Sequence, residues 1–209
     1  MILIPLQFRS KVLCAVVAIA AFTLVCRPLH AQEPPPPNCS GTAPTPAKPF
    51  VSEDATASVT VGGGTIDIHY NTPHMHGRKI MGCLVPYGKV WRTGANPATT
   101  LITSVPLVFG TLLVPAGTHT LYTLPGADTW QLIVNKQTGQ WGLTYNQDQD
   151  LGRMPMKAKP MKAPQEVMSI SFENTTAVST ELHVRWETTD RYVVITAPQR
   201  DPAMSEPVK

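Results

Sequence analysis

The sequence predicts an all-β protein: a single-domain antiparallel β-sandwich, jelly-roll-like in its turns, carried behind an N-terminal signal peptide and a proline-rich linker. Three observations point there. Beyond residue 50, apolar residues recur with period two, the spacing at which successive side chains of a strand face opposite ways. Clusters of Gly, Pro and Asp interrupt these runs at short intervals. Outside the N-terminal apolar run, no stretch of convincing length keeps the 3.6-residue period of a helix.

The strands follow in order. Ile66, Ile68 and Tyr70 share one face while Asp67 and His69 take the other; Leu182, Val184 and Trp186 alternate with Glu181, His183, Arg185 and Glu187. Each pattern predicts one buried and one wet face. Further strands are predicted over residues 58–61, 99–104, 107–109, 111–114, 118–124, 130–135, 167–173 and 192–196. Gly62-Gly63-Gly64 supplies positive φ between the first two, Pro115-Ala116-Gly117 breaks the middle pair, and Pro125-Gly126-Ala127-Asp128 reads as a hairpin connection. A short helix over 139–147 is the one helical alternative. No helix follows the three glycines, so they lack the N-terminal dipole of a phosphate-binding loop.

Composition bounds the rest. Of 209 residues, 1–31 read as a signal peptide, 32–49 as the linker, 50–198 as the domain and 199–209 as a flexible tail. Arg9 and Lys11 precede an apolar run over 12–25, and Leu29-His30-Ala31 offers a cleavage site after Ala31. That run falls short of the roughly 20 residues needed to cross a bilayer, so no membrane span is expected after cleavage. Val25 before Cys26 argues against lipidation. The expected location is periplasmic or extracellular. Without Arg9, Lys11 and Arg27, the 17 basic residues fall to 14, equal to the 14 acidic ones. Arg153, Lys157, Lys159 and Lys162 form the one basic group, too sparse to expect a nucleic-acid partner. Cys39 and Cys83 survive cleavage, and an oxidising compartment permits them to bridge.

Residues 70–96, YNTPHMHGRKIMGCLVPYGKVWRTGAN, are the densest irregular stretch. GRKIMG and LVPYGKVWRTGAN, followed by LLVPAGTHTLYTLPG and WQLIVNK, resemble the secreted bacterial family that carries domain of unknown function 2911, over about residues 54–197. The resemblance implies export and a β-rich domain, and it brings no catalytic residue, substrate or cofactor with it. Cys83 stands where the family pattern has a small, glycine-like residue, and His74 and His76 lie outside that pattern.

On its own chemistry this stretch offers Arg78 and Arg92 as cations, Asn96 as an amide, and Tyr87 and Trp91 as flat surfaces with polar edges. Those five residues suit an anionic or sugar-like ligand, because Arg clamps a carboxylate through paired hydrogen bonds beside a water-excluding ring. The competing reading puts Trp91 in the core, pairs Arg92 with a carboxylate and makes Asn96 a turn cap. The expected partner is therefore a small molecule, glycan or peptide, with no cofactor. A second reading takes His74, His76 and the methionines at 154, 156, 161 and 168 as soft ligands for copper. A third is a hydrolase or isomerase, although no serine sits in a nucleophile elbow and the carboxylates, including Asp67, Asp128, Asp148, Asp150 and Glu166, are sparse. Enzyme status stays open, with a binding module preferred. Trp130, Trp141 and Trp186 are expected in the core, and His119 is expected to be a satisfied structural histidine.

Overall fold

A computed structural model describes Cys39 and residues 51–198; the expected signal peptide and C-terminal tail fall outside the described residues, as does the expected linker apart from Cys39. Eleven strands form one antiparallel sheet: β1 (Glu53–Val61), β2 (Gly64–Thr72), β3 (Thr99–Thr103), β4 (Leu107–Phe109), β5 (Leu112–Val114), β6 (Gly117–Leu124), β7 (Trp130–Asn135), β8 (Asp150–Ala158), β9 (Gln165–Glu173), β10 (Ser179–Glu187) and β11 (Thr189–Thr196). The strand order is β1-β2-β3-β6-β7-β8-β11-β10-β9, with β4 joining β11 and β5. β1 and β2 pair without a break from Glu53↔Thr72 to Val61↔Gly64. Gly62 and Gly63, at φ 64° and 78°, make the two-residue turn whose twist matches that of the strands.

The sheet nearly closes on itself. Just past β2, His74 bridges Val167 of β9, Met168 N–H donates to Pro73 O (2.9 Å) and Met75 N–H to Glu166 O (2.9 Å). The Tyr70 hydroxyl adds to the closure by accepting from Ile170 N–H (3.1 Å) and donating to Ile170 O (3.4 Å). The two ends of the strand order are thereby drawn together into a barrel-like shape.

Inward side chains from most of the strands form one core, including Ile66, Ile68, Leu101, Phe109, Leu132, Leu182 and Trp186. The alternation of β10 holds on its apolar side, but its expected wet side does not: His183 is 0% exposed. Strand β8 has no counterpart in the predicted set. Its Pro155 and basic residues disguise an alternation in which Met154 and Met156 enter the core. β11 pairs β8 only at Lys157 and Ala158, so along most of β8 one edge makes no ladder for a proline to interrupt. The helix considered over 139–147 is also corrected: a single 3-10 turn lies later, at Gln147–Gln149, where Asn146 Oδ1 accepts from Asp148 N–H (3.0 Å). The two glycines flanking Gln140 and Trp141 work against a longer helix.

The segment from Pro73 to Ala98 closes the barrel end where β2 stops and β3 starts. Ile80, Met81, Val85 and Trp91 from this segment are core residues. Its backbone is tied down by Glu187, whose buried carboxylate accepts from Ile80 N–H (3.3 Å), Met81 N–H (3.0 Å) and Lys79 Nζ (3.2 Å). Cys83, within this segment, is joined by a disulfide to Cys39, with Cα atoms 5.5 Å apart.

Candidate functional site

The site is built on the stretch from Val90 to Ala98, where Trp91 pairs with Thr123 near the end of β6, on the edge that β3 takes further along. Trp91 exchanges backbone hydrogen bonds with Thr123, its N–H to Thr123 O (2.8 Å) and its O from Thr123 N–H (2.9 Å). The Trp91 indole turns inward and is only 9% exposed. It stacks on Trp186 (ring centroids 5.9 Å), meets Trp130 edge-on (6.4 Å) and donates from Nε1 to Gly94 O (3.0 Å). Thr93, buried at φ 54°, is held by Thr99 Oγ1 donating to its carbonyl (2.9 Å). These contacts leave Arg92, between two buried residues, pointing to the opposite side.

Arg92 is half-buried beneath the loop that joins β7 to β8. Its stem packs on Gly142, where a Cβ would lie 2.0 Å from Arg92 Cδ and 2.5 Å from Asn96 O. Only glycine permits this approach. Gly142 N–H donates to Asn96 O (3.3 Å), Ala98 N–H donates to Gln140 O (3.4 Å), and Pro97 bridges Trp141. Arg92 Nε is buried with no hydrogen-bond partner, although the residue as a whole is only half-buried. Burial pushes the guanidinium below its ordinary pKa, and no carboxylate offsets that effect. Arginine does not shed its proton in a protein, so the side chain stays a partly desolvated cation without a counterion among the described residues. Nearby, Gln140 Nε2 donates to Tyr122 Oη (2.9 Å) and Thr120 Oγ1 (3.2 Å), leaving Gln140 Oε1 buried without a partner.

The β7–β8 loop is held in place from below. Tyr122 donates to Thr144 O (2.9 Å), and Asn135 Nδ2 donates to Asn146 O (2.9 Å) and Asp150 Oδ1 (2.9 Å). Tyr145 donates to Asp150 Oδ2 (2.7 Å) and accepts from Arg153 (2.6 Å); burial, reinforced by Asp150, pushes its phenol up to about 12. Tyr122, Ile133 and Ala98, with Val90, Leu124 and Tyr145 against them, make a second small core under the loop. On top, Trp141 is 57% and Leu143 79% exposed.

The five residues expected to bind ligand therefore divide. Trp91 belongs to the core. Arg78 turns back on its own loop, donating to Met75 O (3.0 Å) and His74 O (2.6 Å). Tyr87 lies on the surface. Arg92 and Asn96 stay together, Asn96 at φ 56° turning the chain toward Gly142. His74 and His76 do come together, rings stacked 5.2 Å apart, with His74 Nε2 2.8 Å from Glu53 Oε2. Of the methionines considered with them, Met154, Met156 and Met168 are buried in the core, and no group of three or more His, Cys, Asp or Glu placed to hold a metal occurs among the described residues. His119 is half satisfied: Nε2 faces Pro115 O (3.0 Å) while Nδ1 is buried without a partner. Trp141, expected in the core, is the exposed tryptophan, so it and Trp91 exchange the roles the sequence predicts. The legible signal for Trp141 is its place between Gly139 and Gly142 in a long segment without periodicity.

Comparison with known protein families gives a match over most of the chain. The family model for a protein of unknown function, DUF2911, covers residues 52–195. The chain belongs to this family. The match spans β1 to the penultimate residue of β11, so the family unit is the whole nearly closed sheet with its Pro73–Ala98 segment. Curated proteins and solved structures yield no match.

Within the DUF2911 unit lies a second polar cluster that the sequence reading treated only as a wet face. His183 Nδ1 contacts Asp190 Oδ1 (2.7 Å), and its Nε2 contacts Glu181 Oε2 (3.2 Å). Tyr192 stacks on the ring at 4.9 Å. Arg185 bridges Asp190 and Glu173, and Lys159 reaches Glu173 (2.9 Å). Three carboxylates thus meet Arg185, Lys159 and an imidazole sealed from solvent. Such an arrangement binds β9, β10 and β11 together; it offers a substrate no access to the imidazole.

Proposed function

We propose that this DUF2911 chain is an exported binding module, a sandwich-like flattened β scaffold whose ligand presents an anionic group to Arg92. The reading rests on one observation: a half-buried guanidinium with a sealed, unpartnered Nε and no counter-charge. Partial burial of a cation is unfavourable unless something compensates it. A structural role would normally supply a carboxylate, as the protein does for Arg153 and Arg185. At Arg92 the missing partner is the ligand's acid, held by the terminal guanidinium nitrogens. Asn96 and the loop over 136–146 form the rim. The apolar hollow at the other end of the barrel, lined by residues such as Gly62, Val105, Pro106 and Val178, has no charged lining residue to select an anion. Export is supported by the charged, apolar and small-residue order of residues 1–31.

The test is thermal unfolding of the full chain with inorganic phosphate, D-glucuronate and L-glutamate, each matched for ionic strength by chloride. At least one anion stabilises the wild type and leaves Arg92→Met unmoved. Stabilisation of both proteins alike, or of neither by any probe, contradicts the assignment.

A further inference from the structure

We propose that the natural ligand of this site is an acidic polypeptide segment, whose carboxylate docks on Arg92 while adjacent apolar side chains pack on Trp141 and Leu143. This rests on the anion-binding reading above and names the partner class.

Small ligands bind in concavities that bury most of their surface. Leu143, with four-fifths of its surface in water, stands out from the loop rather than lining a hollow, and Trp141 beside it is more than half exposed. A projecting pair of apolar side chains cannot enclose a sugar acid, but it can bury itself against a chain that carries apolar side chains of its own. Trp and Arg are also the residue types that most often dominate protein interfaces, in patches ringed by weaker contacts.

The projection is already ordered. Thr144 N–H donates to Trp141 O (2.8 Å), Gly142 N–H to Asn96 O (3.3 Å), and the Tyr122 hydroxyl holds Thr144 O from below (2.9 Å). A partner therefore meets a turn that needs little further ordering, which lowers the entropic loss on association. Charge selects among apolar segments: the uncompensated Arg92 favours an acidic one and repels a basic one.

The experiment selects peptides from a random display library on the full-length chain, with counter-selection on Arg92→Met. Enriched peptides carry Asp or Glu next to an apolar residue. A chosen peptide binds Arg92→Met and Leu143→Ser each about tenfold more weakly, a loss of about 1.4 kcal/mol. Replacing its acid by the amide weakens binding to wild type by a similar factor and has no further effect on Arg92→Met. Leu143 is exposed, so Leu143→Ser keeps the fold, and unfolding temperatures no lower than wild type for both variants verify that. Enriched peptides without an acid, peptides indifferent to either variant, or no enrichment overturn the inference. The small-anion arm separates the two proposals: Arg92-dependent stabilisation by phosphate or a sugar acid, with no peptide enriched, leaves the anion site standing and removes the peptide.

Discussion

At the scale of the residue, Trp91 is covered where the sequence predicts a surface, and its neighbour Val90 shows why. Val90 packs into the small outer core and Trp91 into the main one, so neighbouring residues are both covered. A stretch covered on both sides shows no period-two pattern, and its composition alone reads as a surface loop. Trp91→Ala is expected to destabilise by about 3–5 kcal/mol, as removal of a buried aromatic does. Trp141→Ala is expected to change stability by no more than about 0.5 kcal/mol, the usual range at an exposed position. Urea titration of both variants checks the exchange of roles. The residues of the proposed site, Arg92 and Asn96, were legible as candidates because a cation and an amide in an irregular stretch are chemically conspicuous. Their separation from Arg78 and Tyr87 was not, since it depends on which carbonyls the loop offers and on where Gly142 comes to rest.

At the scale of the element, the loops define the site and the strands merely hold them. Gly142 is the tightest point, because an added methyl collides with Asn96 backbone oxygen as well as with the Arg92 stem. Gly142→Ala should destabilise by about 1–3 kcal/mol, the range for overpacking, and weaken Arg92-dependent binding at the same time. Calorimetric unfolding read beside anion binding tests both effects. Glu187 plays the corresponding part at the barrel end. It occupies φ 55° at the β10–β11 turn and accepts two backbone N–H groups of the Pro73–Ala98 segment. Truncating it orphans those donors, so Glu187→Ala should cost about 2–4 kcal/mol. Backbone hydrogen exchange should accelerate most at Ile80 and Met81; uniform exchange through the domain would place the anchor elsewhere. The hairpin glycines and most strands could be read in advance from local chemistry. Strand β8 could not, because Pro155 and the basic residues around it mimic a linker until β7 supplies the partner.

At the scale of the whole molecule, the near-closure of the sheet and the charge network across β9, β10 and β11 are long-range facts. The alternation in β10 marked two faces, and nothing local showed that Asp190, Glu173 and Lys159 would cover the polar one. Arg185 first, then Lys159, hold the Glu173 carboxyl at about 2, against an ordinary 4.5. A carboxyl depressed by folding stabilises the native state in full above the unfolded value. That stabilisation disappears as pH falls from about 4.5 toward 2. Unfolding temperature should therefore decline through this interval, and Glu173→Gln should flatten the decline. An unaltered slope would assign the acid sensitivity to other carboxylates.

In the proposed function Arg92 is kept for a partner rather than for the fold. The most direct measurement is the urea unfolding free energy of Arg92→Met against wild type, without ligand. Met retains the stem that packs on Gly142 and discards the desolvated charge, so the variant should be as stable as wild type or up to about 1 kcal/mol more stable. A loss of about 2 kcal/mol or more would mean that the guanidinium already has its partners inside the protein.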